Sequence, residues 1–226
     1  MSLSKSLAAA STPQPPQPLN FLNHIFPHMI DTSITLHTYS GADLAPYLED
    51  VARLRIQVFR AYPYLYEGHM EYEREYLRTY LNAPEAAIVI ARDEGKVIGA
   101  STCIPLENEP ESVQKPFLEK GLDVKKIYYY GESVLQPEYR RKGIGVGFFE
   151  HRERKARSLQ RFQWVCFCGV ERPSDHPLRP ADYVPLNHFW RRRGFQETDM
   201  VCYMSWKDLT EEEESPKPLR FWMKEL

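Results

Sequence analysis

The spacing of apolar residues changes along the chain, and each spacing predicts a particular element. One apolar stripe at helical spacing predicts an amphipathic helix that ends near Arg60. The stripe consists of Leu44, Leu48, Val51, Leu54 and Val58. Ser40 to Asp43 precede it and resemble a capping box, which marks the start of a helix. A second helix is predicted over residues 69–82.

Runs rich in β-branched and aromatic residues predict the strands. These runs are residues 34–39, 86–92, 97–106, 127–135, 162–170 and 200–206. The Asp93–Lys96 turn joins the second and third runs into a β-hairpin. Helices are predicted near 113–118 and 184–193 and, after a glycine-rich turn, as far as Leu159. A hairpin followed by strand–helix–strand units is typical of an α/β (α+β) fold, with a mixed central sheet and helices on its faces.

The two ends of the chain differ in composition from the middle. Residues 1–30 contain five prolines, one lysine and no Asp or Glu, so we expect a disordered N-terminal extension. A transit peptide, or a gene start set too early with Met29 as the true start, are the alternatives. The domain is predicted over 31–208. Residues 209–226 are expected to form an acidic linker, Glu211–Glu214, and an apolar tail docked on the domain or on a second subunit.

The overall composition, the net charge and the cysteine count exclude several classes of protein. Hydrophobic residues make up 42% and charged residues 27% of the 226 residues, and the formal net charge is −2, which excludes a generally basic nucleic-acid binder. No run approaches the roughly 20 apolar residues of a membrane-spanning helix. Four cysteines in a chain of this length are no disulfide framework, and neither cysteine nor histidine spacing fits a metal site. We therefore expect a cytoplasmic protein with reduced thiols and no metal, nucleic-acid or membrane partner.

The most informative segment joins the strand that ends at Leu135 to the next helix. Gly143, Gly145 and Gly147 form a turn whose backbone N–H groups can face a ligand, and the helix N-terminus adds partial positive charge. The cations that precede these glycines are Arg140, Arg141 and Lys142. The segment therefore predicts a phosphate-binding site. Neither a nucleotide P-loop nor a Gly-x-Gly-x-x-Gly dinucleotide fingerprint fits the glycine spacing.

Three motifs give the chain a family resemblance. Arg140-Arg-Lys-Gly-Ile-Gly145 fits the pattern Arg/Gln-x-x-Gly-x-Gly/Ala, with Val-x-x-Pro-x-Tyr before it and Phe189-Trp-Arg-Arg-Arg-Gly-Phe195 after it. Over about residues 34–206 the sequence resembles the GNAT acyltransferases. The resemblance implies splayed central strands that hold acetyl-CoA, and acetyl transfer to an amine by direct attack. It assigns acetyl-CoA to Val134, Leu135, Gln136, Arg140, Arg141, Lys142, Gly143, Ile144, Gly145, Val146 and Gly147.

The resemblance also implies roles in the reaction. The backbone N–H groups of Val134 and Leu135 would polarise the thioester carbonyl. Glu132 lies two residues earlier and is the candidate base, and a solvent-facing or salt-bridged glutamate is the alternative interpretation. Glu171 and His176, beyond the next strand, are further candidates for the base.

The general acid departs from the family pattern. Many relatives carry a tyrosine at the position of Trp190. An indole N–H is not a usable acid, so we expect Trp190 to pack against the domain. The CoA thiolate then leaves unprotonated, because a thiol pKa is only about 8.5, or it takes a proton from Tyr183 or from a tyrosine of another element.

The acceptor pocket is expected between the first two helices and their loop, as in the family. Tyr64 and Tyr66 would supply aromatic faces, and Glu67 and Glu71 would supply negative charge, which together suit an amine cation. Glu132 is expected to contact the substrate as well. We therefore expect a small-molecule amine as the substrate, with a homodimer left open. The alternatives are a protein N-terminal or lysine acetyltransferase, and a non-catalytic acetyl-CoA-binding module.

Overall fold

The computed structural model describes residues 33–226, so the predicted N-terminal extension lies outside the described residues. The strands are β1 (Ile34–Tyr39), β2 (Ala87–Asp93), β3 (Lys96–Pro105), β4 (Ile127–Leu135), β5 (Trp164–Val170), β6 (Gln196–Lys207) and β7 (Glu214–Glu225). The helices are α1 (Leu48–Phe59), α2 (Met70–Asn82), α3 (Glu111–Glu119), α4 (Ile144–Ser158) and α5 (Asn187–Arg191).

All seven strands form one sheet in the order β1-β2-β3-β4-β5-β7-β6. Only β4 and β5 run parallel, and the other neighbours are antiparallel. Apolar residues of α1, α2 and α3 pack on one face of the sheet, and those of α4 pack on the other face. The predicted mixed sheet with helices on its faces is confirmed.

The C-terminal segment differs most from its prediction. Residues 214–225 were expected in a linker and a docked tail, but they form β7, which lies between β5 and β6 inside the sheet. Leu219, Phe221 and Trp222 are buried there. Pro216 and Pro218 lack an N–H and obscure the strand pattern, although both pair with β6. The sheet therefore extends beyond the domain boundary predicted at residue 208.

The start of the first helix also differs from its prediction. Ser40 makes no side-chain capping hydrogen bond, and residues 41–47 form a 3₁₀ helix before α1 begins at Leu48. Pro46 lies within that turn, and a proline has no N–H to donate to the carbonyl four residues earlier. The predicted second helix, the hairpin and the strand over 127–135 all form as expected.

All four cysteines are free and buried. Within residues 33–226 no helix combines the length and the apolar character that crossing a membrane requires.

Candidate active site

The site begins where β4 and β5 separate. The two strands pair over only three residues each, Ile127–Tyr129 and Trp164–Cys166, although both strands continue beyond that point. The carboxyl-terminal halves of β4 and β5 therefore have an unpaired edge facing each other. Backbone groups along those edges are available to a ligand that enters between the strands.

The hydrogen bonds between β3 and β4 show which backbone N–H groups near the end of β4 face this gap. The N–H of Gln136 donates to the carbonyl of Ile98 on β3 at 3.0 Å. Alternate residues of a strand direct their N–H groups to the same neighbour, and Val134 pairs opposite Ala100 in the same register. Val134 and Gln136 thus face β3, and the N–H of Leu135 faces the gap.

A bulge in β4 brings Glu132 to the same place. The β3–β4 register shifts between Ser101 and Cys103, so that two residues of β4, Gly131 and Glu132, lie opposite the single residue Thr102 of β3. The N–H of Glu132 donates to the Thr102 hydroxyl at 3.0 Å instead of to the ladder. A Cβ on Gly131 would lie 2.7 Å from the hydroxyl oxygen of Tyr80, so glycine allows this strand to approach α2.

Glu132 takes part in a buried charge cluster. Arg55 of α1 forms ion pairs with both Glu132 and Glu73, and Tyr76 donates a hydrogen bond to Glu132 at 2.8 Å. Glu73 is fully buried, and Arg55 is 7% exposed. Burial lowers the pKa of Arg55, but attraction to Glu132, Tyr76 and Glu73 offsets this, and the pKa lies well above its ordinary value. Arg55 therefore stays protonated and holds Glu132 at the pocket.

Two helix residues of this cluster were not singled out as site residues from the sequence. Arg55 lies four positions after Val51 and three before Val58, within the apolar side of the predicted first helix. Glu73 lies on one side of the second helix together with Tyr76. A charged residue on a buried helix face needs a partner of opposite sign. The position of these two charged residues on apolar helix faces was therefore the signal in the sequence that they take part in a buried ion pair.

An aromatic pocket adjoins Glu132 on the α1–α2 face of the sheet. Its volume is about 150 Å³, and it reaches the gap between β4 and β5. Its lining consists of Arg55, Phe59, Tyr64, Tyr66, Tyr72, Tyr76, Tyr129, Gly131, Glu132, Cys168, Met204, Ser205, Trp206 and Leu219. Tyr64 and Tyr66 both belong to this lining, whereas Glu67 and Glu71 do not, and Glu67 pairs with Lys207 at 2.9 Å. Burial is the main cause that raises the pKa of both phenols, so both stay neutral.

The glycine turn before α4 has the features of an anion site. Gly143 has a φ of 81°, in the left-handed region that favours glycine. Val146 and Gly147 both donate to the carbonyl of Gly143, and the N–H groups of Ile144 and Gly145 precede the first intrahelical donor. Those two groups therefore point out of the helix N-terminus, as unsatisfied donors for an anion.

The cations of this turn are available to a ligand. Arg140, Arg141 and Lys142 are exposed, and none of the three forms an ion pair with another residue of the 33–226 region. Tyr139 donates to Asp93 at 2.9 Å and so ties the turn to the β2–β3 hairpin. The turn combines free amides with free positive charge, which fits a phosphate group.

A second cavity continues from the turn along α4. Its volume is about 370 Å³. Val146 and Phe149 line one side, and Arg192, Arg193 and Phe195, which follow α5, line the other. The charged residues of this lining are Arg192, Arg193 and Lys224 together with Glu150 and Glu153, so the cavity is of mixed charge.

The candidate acids occupy different surroundings. Trp190 packs edge-on against Phe167 and Trp222, with ring centroids 5.0 and 5.1 Å away. Tyr183 packs edge-on against Tyr62, 4.7 Å away, and does not belong to the pocket lining. Tyr129 lines the pocket at the β4–β5 gap and its hydroxyl lies 3.1 Å from Cys168 Sγ.

The two further candidate bases lie away from the pocket lining. Glu171 accepts two hydrogen bonds from Arg220 on β7, at 2.6 and 3.2 Å. His176 accepts the N–H of Leu178 at 3.2 Å through Nδ1, and its ring lies 5.7 Å from Tyr62. Of the three candidate bases, the geometry therefore brings only Glu132 to the pocket.

Comparison with known proteins defines the class of enzyme. The sequence model of the Acetyltransferase (GNAT) family matches residues 50–195. The chain belongs to this family, and it is an acetyl-CoA-dependent acetyltransferase. Members of the family acetylate amines. A search of curated protein sequences finds no match.

Solved structures with this fold come from several bacteria. A ribosomal-protein-alanine N-acetyltransferase from Brucella melitensis is 14% identical, with a TM-score of 0.56 over 85% of this chain and 99% of that chain. A Salmonella typhimurium protein assigned as an acetyltransferase was solved with its cofactor acetyl-CoA. It is 9% identical, with a TM-score of 0.55 over 86% of this chain and 94% of that chain. At these identities the likeness extends to the fold alone.

Proposed function

We propose that this enzyme transfers the acetyl group of acetyl-CoA to the amine of a small molecule, with Glu132 as the proton acceptor. One observation carries the proposal. The carboxylate of Glu132 belongs to the lining of an aromatic pocket that opens onto the gap between β4 and β5. An amine held beside that carboxylate lies next to the edge where a thioester could enter.

The residues of the anion site fit acetyl-CoA. When bound, acetyl-CoA supplies the acetyl group as a thioester. The N–H groups of Ile144 and Gly145 and the side chains of Arg140, Arg141 and Lys142 would hold its phosphates. The remaining residues that were assigned to acetyl-CoA lie in three places. Val134 and Leu135 end β4 and Gln136 follows it, Gly143 directly precedes α4, and Val146 and Gly147 lie in the first turn of α4. The N–H of Leu135 faces the gap and is the donor that would polarise the thioester carbonyl.

The reaction balances with these groups alone. The acceptor enters as an ammonium, and Glu132 takes one proton from it, directly or through a water molecule. The freed lone pair forms a C–N bond to the acetyl carbon, while the C–S bond breaks and its electron pair stays on sulfur. A second proton leaves the nitrogen and protonates the thiolate, so the products are an amide, CoA thiol and one released proton.

The leaving thiolate needs no dedicated acid in this scheme. A thiol pKa near 8.5 makes the thiolate a tolerable leaving group near neutral pH. Burial raises the pKa of Tyr183 and Tyr129, which weakens both as proton donors. We therefore assign no residue as general acid.

Glu132→Gln tests the proposed base. Acetyl-CoA and a panel of primary amines would be followed by thiol release and by mass spectrometry of the products. On the best acceptor, E132Q should lower kcat by about 100-fold or more at pH 7, and its activity should recover in part at higher pH as free amine accumulates.

Glu171→Gln is the matched control, because Glu171 is also paired with an arginine but lies outside the pocket lining. It should leave kcat within about twofold of the parent enzyme. Unchanged turnover in E132Q, with acetyl-CoA binding intact, would remove Glu132 as the base. A failure of acetyl-CoA to raise the melting temperature of the parent protein would refute the cofactor assignment.

A further inference from the structure

We infer that the acceptor is a primary amine with a compact aromatic body and no carboxylate. The inference rests on the proposed function and deepens it. It names the chemical class of the acceptor from the charge, the size and the surface of the aromatic pocket.

The charge of the pocket is the first argument. Arg55 is the only cation and Glu132 the only anion among its lining residues within the described chain. Both ion pairs of Arg55 are internal, to Glu132 and to the fully buried Glu73. The cluster as a whole carries one excess negative charge. It attracts an ammonium group and offers no free cation to a substrate anion.

The cations behind the pocket wall also form ion pairs within the protein. Arg172 pairs with the buried Asp208 at 2.5 Å and donates to the carbonyls of Pro63 and Tyr64. Lys217 is 5% exposed and pairs with Glu211 at 2.8 Å. A carboxylate beside the substrate ammonium would therefore lose its hydration without gaining a counter-charge, which is costly.

The surface of the pocket is the second argument. Seven of its fourteen lining residues are aromatic. The faces of Phe59 and Tyr76 already lie against the Arg55 guanidinium, 5.1 and 4.1 Å from the ring centroids. The ring centroid of Tyr64 lies 4.5 Å from that of Phe59 and 6.0 Å from that of Trp206, so the aromatic surface continues from Phe59 to Trp206. An aromatic body can pack against such rings edge-on or offset.

The size of the pocket is the third argument. Its volume of about 150 Å³ is that of a cavity able to hold one benzene ring. Tyr72 belongs to the lining and is 59% exposed, so the pocket opens beside it, and a ring with a short aminoalkyl chain can occupy the pocket and its opening. Most of a peptide or of a multi-ring aminoglycoside would lie outside this volume.

Matched pairs of acceptors test the inference directly. Phenethylamine and phenylalanine differ only in a carboxylate, as do tyramine and tyrosine. For each pair the parent enzyme should show a kcat/KM at least about tenfold higher for the amine than for the amino acid, because like charges placed side by side are costly. Spermidine and a peptide with a free N-terminus complete the panel and should be poorer than phenethylamine.

A charge placed at the pocket mouth gives an independent readout. Tyr72→Arg supplies a free cation at the mouth, and it should shift the kcat/KM ratio toward the amino acid in each pair. Tyr203→Arg is the matched control, because Tyr203 is 61% exposed on β6 and lies outside the pocket lining. It should leave the ratio unchanged.

The outcomes separate the inference from the proposed function. Equal or better use of the amino acids, or a preference for spermidine or the peptide, would overturn the inference and leave acetyl transfer standing. An equal change of ratio in Y72R and Y203R would contradict the charge argument. If no panel member is acetylated although acetyl-CoA binds, the inference fails; if acetyl-CoA does not bind either, the proposed function fails with it.

Discussion

Removing the Arg55 guanidinium tests the buried charge cluster at its centre. Arg55→Leu keeps much of the side-chain bulk on α1 but leaves Glu73 and Glu132 without their cation. The two carboxylate side chains are 0% and 9% exposed, so water cannot replace the lost partner. The variant therefore places two uncompensated negative charges in the same buried region.

The expected cost follows from this burial. Breaking a buried ion pair by removing one partner typically costs about 3–5 kcal/mol. Arg55 serves two carboxylates and also contacts the rings of Phe59 and Tyr76, so we expect the upper part of that range. The cost should shrink at low pH, because buried carboxylates without a counter-charge are less costly when protonated.

The assay is urea unfolding followed by tryptophan fluorescence at pH 5 and pH 8. Arg53→Leu is the matched control on the same helix, since Arg53 pairs with Glu49 and Asp50 at a side-chain exposure of 63%. Exposed pairs of this kind contribute about 0–1 kcal/mol. Adding Glu73→Gln to R55L should recover part of the lost stability, because one of the two stranded charges is then removed.

Two results would refute this reasoning. One is an R55L cost no larger than that of R53L. The other is a loss of stability that does not depend on pH and is not relieved by E73Q, which would assign the cost to packing and not to charge.

Three further predictions concern Glu109, which interacts electrostatically with Glu132, and two parts of the site. Burial and repulsion from Glu132 raise the pKa of Glu109 to about 7. The folded protein therefore loses stability as the pH rises from about 4.5 to 7, because the carboxyl group must ionise in the fold. Glu109→Gln should increase the free energy of unfolding by about 1–2 kcal/mol at pH 8 and change it little at pH 4.5. Gly143→Ala and Gly95→Ala both place alanine at positive φ, 81° and 84°, and each should cost about 1 kcal/mol, but only G143A should raise the KM for acetyl-CoA. Trp190→Phe should leave kcat within about twofold, because Trp190 packs and does not donate a proton.

Chemical unfolding across pH, steady-state kinetics and isothermal titration of acetyl-CoA measure these effects. The Glu109 argument is refuted if E109Q has the same effect at both pH values. Equal acetyl-CoA affinity in G143A and G95A would show that the glycine turn does not bind the cofactor. A large fall of kcat in W190F, with stability preserved, would show that the Trp190 indole takes part in the reaction.

The sequence predicted the parts of the fold that local pattern controls. The β2–β3 hairpin, β4 and α2 follow from apolar spacing and turn residues, which act within a few positions. Strand β7 was missed because Pro216 and Pro218 break the usual strand pattern. Its two neighbours gave no further signal, since β5 is more than 40 residues earlier in the chain and the register with β6 is interrupted between Glu197 and Val201. Its place between β5 and β6 is a property of the whole sheet.

The same division applies to the site. The glycine turn at Gly143 was visible because the residues of an anion site at a helix start are consecutive in the chain. The apolar face of α1 indicated that Arg55 needs a partner of opposite sign, but the sequence could not identify Glu132 as that partner. The two residues come from α1 and β4, and their spacing along the chain carries no signal of contact.

The sequence by itself determined the family and the mixed sheet, and it located the glycine turn that we propose binds acetyl-CoA. The tertiary structure decided which amide of β4 faces the gap, that Glu132 is held by Arg55, and that Trp190 packs against Phe167. The physical reason is that hydrogen-bond direction, burial and charge pairing depend on neighbours from other elements. Those neighbours meet only when the sheet assembles, and the aromatic pocket exists only where they meet.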